Sequence, residues 1–162
     1  MLGDIDYVSE GSFGIPGSFP YKVRSGTSAS ISPGEPVVSS GLGSPYVELA
    51  ATSQPVVGTD SVIGIATSFS TETASADGKV QVMKLVPGVI YLGNPTVAAS
   101  WDTQAEYDAL VGARVLWDLT SSTFTILAAD GATNGLVVEN LDVKKNPGKV
   151  AFSIRIGAGY LA

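Results

Sequence analysis

Val150-Ala-Phe-Ser-Ile-Arg-Ile156 decides the class of fold. Successive side chains of an extended chain point to opposite sides, so Val150, Phe152, Ile154 and Ile156 share one face. Ala151, Ser153 and Arg155 share the other, which marks a half-buried antiparallel strand. Working outward, Val115, Trp117 and Leu119 alternate with Arg114, Leu116 and Asp118 in the same way. Lys79-Val-Gln-Val82 alternates behind Asp77-Gly78, which reads as a tight hairpin turn. Ser61-Val-Ile-Gly-Ile-Ala-Thr67 is a β-branched run broken at Gly64, where a bulge or a close backbone approach is expected. Pro33-Gly-Glu-Pro36 reads as a turn before Val37-Val38, and Tyr21-Lys-Val-Arg24 alternates again.

Composition agrees with strands. The chain holds 19 glycines and 9 prolines among 162 residues, and both weaken helix interiors, so a helical bundle is excluded. A hydrophobic share of 44% supplies material for a core. One helix is expected. Thr103-Gln-Ala-Glu106 fits a capping box, Ala105, Tyr107, Ala109 and Leu110 continue it, and Gly112 is a natural stop.

Histidine and cysteine are both absent. Their absence removes disulfides, histidine or cysteine metal ligands, a cysteine nucleophile, a histidine base and the serine–histidine–aspartate triad. A net charge of −6 repels a phosphate backbone, and Lys144-Lys145, the densest basic spot, reads as a solvated loop; no nucleic acid is expected as a partner. The first ten residues carry neither a basic nor an apolar signal region, and no window approaches the length of a membrane helix. Synthesis in a cytoplasm, with no membrane partner, is the expectation.

Residues 1–20 differ in texture. Ser9-Glu-Gly-Ser-Phe-Gly-Ile-Pro-Gly-Ser-Phe-Pro20 sets isolated large residues among turn formers, with no period of 2 or 3.6. It reads as an extended N-terminal arm with Phe13, Ile15, Phe19 and the adjoining Tyr21 as anchors; a locally packed terminus is the alternative. The β domain is then 21–162, divisible into 21–100 and 101–162. A faint echo links the halves: Gly34-Glu-Pro-Val-Val38 with Gly112-Ala-Arg-Val-Leu116, Gly64-Ile-Ala66 with Gly135-Leu-Val137, and Gly78-Lys-Val80 with Gly148-Lys-Val150. Shared turn-and-strand grammar accounts for this more readily than duplication.

No catalytic, metal or cofactor site is expected. Both Gly-Lys pairs precede valine and lack the spacing of a phosphate loop, and no nucleophile elbow or calcium loop occurs. Asp102 and Glu106 lie one helical turn apart, as a carboxylate pair requires, but negative charge at a helix start has a simpler cause in the helix dipole. Trp101 and Trp117 suit either sugar stacking or a core, and the core use is commoner.

The segment Phe19-Pro-Tyr-Lys-Val-Arg-Ser-Gly-Thr-Ser-Ala-Ser-Ile-Ser-Pro-Gly-Glu-Pro-Val-Val38, with Ser61–Ala66, Gly78-Lys-Val-Gln-Val82 and Pro87-Gly-Val89, resembles bacteriophage capsid decoration (cement) proteins. The resemblance spans residues 19–90 and, more faintly, the second half. It implies an all-β fold, a small antiparallel β-barrel or β-tulip-like module with one short helix and an extended N-terminal arm. It also implies a homotrimer on the outer surface of a tailed-phage head, with the major capsid protein as partner and no enzymatic activity. A carbohydrate-binding β-module of a virion is the alternative.

Overall fold

The computed structural model describes residues 6–9, 17–26, 30–41, 43–51, 55–57, 62–120 and 123–155. The alternating segments become strands β1 (Asp6–Ser9), β2 (Ser18–Val23), β3 (Pro36–Ser39), β4 (Tyr46–Leu49), β5 (Val62–Ala66), β6 (Gly78–Lys84), β7 (Ile90–Gly93), β8 (Arg114–Thr120), β9 (Thr123–Leu127), β10 (Leu136–Val138) and β11 (Val150–Ile154). One short helix, α1 (Gln104–Asp108), separates β7 from β8. The fold is mostly β: β2-β4-β3-β5-β6 closes as a barrel, and an antiparallel sheet runs β1-β7-β11-β10-β8-β9. The barrel is mixed, because β2 and β4 run parallel through Lys22↔Tyr46 and Val23↔Val47.

The two sheets repeat one plan. Beyond β7 the chain continues to Thr96 and meets β9 in a parallel bridge, Pro95↔Ile126. Ile126 N donates to Asn94 O at 2.7 Å and Thr96 N to Ile126 O at 2.9 Å. The order β7-β9-β8-β10-β11 therefore follows β2-β4-β3-β5-β6, pair by pair and direction by direction. Register coincides as well. Pro36↔Ile65 and Val37↔Gly64 correspond to Arg114↔Val137 and Val115↔Leu136. Gly34 N reaches Ala66 O at 2.7 Å as Gly112 N reaches Val138 O at 2.9 Å, and both glycines hold positive φ, 85° and 83°.

The echo is thus structural, repeat 1 being β2–β6 and repeat 2 β7–β11, and goes beyond shared turn-and-strand grammar, because strand order, direction and register all repeat. Two of the three matched motifs align as written. The third is shifted by one residue, since Gly64-Ile-Ala66 corresponds to Leu136-Val-Val138. The junction lies between β6 and β7, so a division at residue 100 would cut repeat 2. The break expected after residue 20 falls inside β2.

Core formation follows from the strand faces. Val23, Val37, Val47, Ala66, Val80 and Val82 fill the barrel, together with Ile31. Val38, Val62, Ile65 and Leu85 leave the barrel on its outer side and join Tyr91, Trp117, Ile126, Phe152 and the rest of repeat 2 in a second core. Each such side chain, fully buried, stabilises by roughly 1.5–3 kcal/mol relative to exposure. Val62 and Ile65 are three apart and cannot share a face of a regular strand. The register shift opposite Val37 and Val38 inserts one residue and lets Val62 and Ile65 face one core while Ile63 and Ala66 face the other. Gly64 is the expected close approach: a Cβ there would lie 2.1 Å from Met83 O.

Two local expectations change. Asp77-Gly78 is not the turn, because Thr73 N bonds Ala76 O at 2.9 Å and closes the hairpin earlier. Gly78 instead lets the returning chain pass, its absent Cβ falling 2.0 Å from Glu72 N. The capping box at Thr103 and Glu106 forms, but α1 ends at Asp108 instead of reaching residue 111. Two side chains hold the helix: the buried Tyr107 accepts Ala151 N at 2.8 Å and donates to Glu139 O at 3.0 Å, and Gln104 donates to Leu141 O at 3.0 Å and accepts Val143 N at 3.1 Å. That roof explains why Ala151, on the face of β11 expected to be solvated, is buried.

Candidate docking face

β2 carries the two described members of the expected anchor set, and neither is on a free arm. Phe19 stands opposite Val82 and Tyr21 opposite Val80, so both share the inner side of the barrel with Val23. Tyr21 packs against the barrel core. Phe19 sits at the barrel end, 48% exposed, with Lys84 Nζ 5.3 Å from its ring centre. An exposed cation over a ring contributes about 0.5–1 kcal/mol. Phe13 and Ile15 lie outside the described residues.

Pro20 shows why a proline-marked segment still forms a strand. Its neighbour Gln81 turns its backbone to the other side, accepting from Thr67 N at 2.7 Å and donating to Ser68 Oγ at 3.0 Å. Pro20 therefore faces away from β6, where its missing N–H breaks no ladder bond. In repeat 2 the same position is Leu92, and there β1 pairs along it through Asp6↔Leu92.

On the outer side of β2 and the first part of β6, Pro20, Lys22, Lys79 and Gln81 stay exposed, whereas Met83 at the end of β6 packs against the second core. Lys22 lies directly opposite Lys79, both exposed. Neither ammonium reaches a carboxylate among the described residues. Beside them the chain from Thr67 to Thr71 runs along β6, bonded to Gln81 O and Lys79 O, and carries Phe69 at 63% exposure. At the end of β2 the Arg24 guanidinium stacks 5.0 Å from the Tyr46 ring centre, and Asp77 accepts Ser25 N at 2.8 Å. Sequence reasoning missed this face, because Lys22 and Lys79 are distant in the chain and only strand register makes them neighbours.

The other singled-out residues fall elsewhere. Trp101 and Trp117 are buried in the second core and offer no face for a sugar to stack on. Trp101 meets Tyr107 edge-on at 5.5 Å. Asp102 and Glu106 do come together: a hydrogen bond to Glu106, and the Glu106 charge, raise the Asp102 carboxyl above its ordinary range. Glu106 is held low, first by the Thr103 hydroxyl and then by Asp102. Both are exposed at the start of α1, where Glu106 N donates to Thr103 Oγ1 at 3.3 Å and Thr103 N donates to Glu106 Oε2 at 3.3 Å, as a capping box does. Among the described residues no three acidic groups converge on a cation site. No described helix is long and apolar enough to cross a membrane. Comparison with protein-family models, curated proteins and solved structures finds no match.

Proposed function

We propose that this chain is a structural decoration protein of a tailed-phage head. It binds the outer surface of the shell as an oligomer and stabilises the capsid lattice without chemistry. The observation that carries the reading is the placement of the resembling motifs. Gly34-Glu-Pro-Val37, Val62–Ala66 and Gly78–Val82 come together as β3, β5 and β6, three consecutive strands of the repeat 1 barrel. The partner is the major capsid protein, and the place of action is the virion exterior.

The physics suits adhesion. The closed barrel and the antiparallel sheet pack together through the second core, so the molecule presents stiff faces whose order costs little entropy on binding. Many weak contacts on a repeating lattice reinforce one another through effective concentration. Among the described residues of repeat 1, the half-exposed Phe19 and the exposed Phe69 are the large apolar groups available for burial.

Co-sedimentation of the purified protein with intact heads tests the proposal, followed by heating with release of packaged DNA as readout. Saturable binding and a higher release temperature are expected. A well-folded protein that ignores heads of the phage encoding it would overturn the reading.

A further inference from the structure

We propose that Arg114 and Arg155 form a binding site for a small oxyanion on the outer face of repeat 2. β10 lies between β8 and β11, with Arg114 opposite Val137 and Ile154 opposite Leu136. The next residue, Arg155, donates its amide to Gly135 O at 2.8 Å. Side chains alternate along a strand, so residues beside positions 135 and 137 project to one side, away from the buried Val115, Leu136 and Ile154. Two arginines from strands that are not neighbours thus meet across β10.

Their guanidinium groups converge on one atom. Arg114 Nη1 donates to Ala132 O at 3.1 Å, and Arg155 Nη1 donates to the same oxygen at 2.7 Å. The two nitrogens are therefore no farther apart than these bonds laid end to end. The shared acceptor is a neutral carbonyl, and among the described residues no ion pair joins either arginine to a carboxylate. Asp130, in the same loop as Ala132, accepts the Arg114 backbone amide at 2.9 Å, and Glu139 accepts the Ser153 hydroxyl. The loop is braced where it meets β8. The buried Asn134 donates its side-chain amide to Arg114 O and Ala129 O, and Gly131 N donates to Arg114 O at 3.2 Å. The arginines are thus gathered on a fixed point.

Repeat 1 shows that the shared plan does not demand arginine here. The positions equivalent to Arg114 and Arg155 are Pro36 and Leu85, both buried, and that side of repeat 1 contributes Val38, Ile65 and Leu85 to the second core. Repeat 2 turns the same side outward and leaves both arginines half-buried, their remaining N–H groups bonding nothing among the described residues. A guanidinium presents five N–H donors in a planar fork that matches paired oxygens of a phosphate or a carboxylate. An oxyanion seated across both forks supplies the full negative charge that the carbonyl lacks, through hydrogen bonds strengthened by charge on both sides. Partial burial keeps that attraction from being fully screened. A free phosphate and a carboxylate side chain of a partner protein share this chemistry. The site goes beyond the adhesive reading and does not depend on it.

Nuclear magnetic resonance of the full, nitrogen-labelled chain tests it. Arginine Nε–H signals are followed as inorganic phosphate, or separately sodium acetate, is added at constant pH and ionic strength. The Arg114 and Arg155 signals are expected to shift together and saturate, while that of Arg24, the remaining arginine, does not. Arg114→Gln and Arg155→Gln should each weaken binding by about tenfold, the loss of one hydrogen-bonded charge, with an unchanged circular dichroism spectrum. Saturation by phosphate and not by acetate assigns a free phosphate; saturation by acetate as well assigns the carboxylate class. Shifts that grow without saturating for both anions, that Arg24 shares equally, or that persist undiminished in both variants would each overturn the inference. The wild-type titration alone can refute it, whatever the variants do. No phage heads are present, so failure here leaves head binding as a separate measurement, and loss of head binding leaves this site standing.

Discussion

The Tyr46 hydroxyl donates to Asp77 Oδ2 at 2.6 Å, tying β4 to the chain entering β6 across the end of the strand between them. The parallel seam of β2 and β4 pairs only Lys22 with Tyr46 and Val23 with Val47, so this contact reinforces the place where the barrel has the shortest ladder. Asp77 is held below the ordinary aspartate range, first by the Tyr46 hydroxyl and next by the Ser25 amide. A carboxylate depressed in the fold stabilises above its unfolded pKa, and that contribution disappears as pH falls through the folded value. Asp77→Asn should therefore melt below the wild type at pH 7. The two melting curves should converge below the aspartate range; a constant gap would remove the ionic role.

Gly64 and Gly148 separate two reasons for glycine. A methyl at Gly64 meets the Met83 carbonyl oxygen at 2.1 Å, a backbone atom that cannot turn aside. Gly64→Ala is expected to reach or exceed the upper end of the roughly 1–3 kcal/mol cost of overpacking. Gly148 has open space around it but φ of +69°. Gly148→Ala should cost only about 1 kcal/mol, the conformational term alone. Denaturant titration of both variants reads the difference.

Tyr107→Phe leaves Ala151 N without its acceptor and Glu139 O without its donor, with an expected loss of about 1–3 kcal/mol. Burial, the leading cause, pushes the Tyr107 phenol up to about 12. A raised folded pKa means its contribution is complete below the unfolded value near 10 and is lost as pH rises towards the folded one. Melting against pH from neutral to strongly alkaline should show the wild type losing stability over that window beyond what Tyr107→Phe loses.

Glu35 is buried, and desolvation raises its carboxyl above the ordinary range although Ser32 N donates to Oε2 at 2.7 Å. Here the sign is reversed from Asp77. The fold favours the protonated acid, so stability is complete at low pH and falls as the group ionises. Glu35→Gln should raise the melting temperature at pH 7 and give no gain below the ordinary glutamate range. An equal gain at both would place the effect outside ionisation.

Asn134 is the buried polar residue of repeat 2, its amide donating to Arg114 O at 2.9 Å and Ala129 O at 2.6 Å. Asn134→Ala strips two carbonyls at once and should cost at least about 1–3 kcal/mol. Chemical denaturation is the measurement.

Much of the fold could be read in advance where the signal is local. Alternation marked β11 because its neighbours cover one face fully, and Thr103 and Glu106 announced the start of α1 because a capping box needs no tertiary partner. Gly64 was recognisable because β-branched residues flank it. The signal weakened wherever spatial neighbours decide. Thr73 displaces Asp77-Gly78 as the turn because Gly78 is needed beneath Glu72. Phe19 and Pro20 look like a tether by composition, and only the orientation of Gln81 shows that a strand tolerates them. The repeat was obscured by loops of unequal length, above all the insertion that contains α1, which push equivalent strands out of step. The lysine pair depends wholly on register and left no linear trace.

Pro20 has one more effect. A molecule built from two look-alike halves must decide where its own leading strand attaches, since β1 finds matching edges on both. Leu92 offers an amide there and Pro20 offers none, so a single missing hydrogen makes one berth acceptable and closes the other. A strand from another molecule that paired along Pro20 would likewise lack that bond.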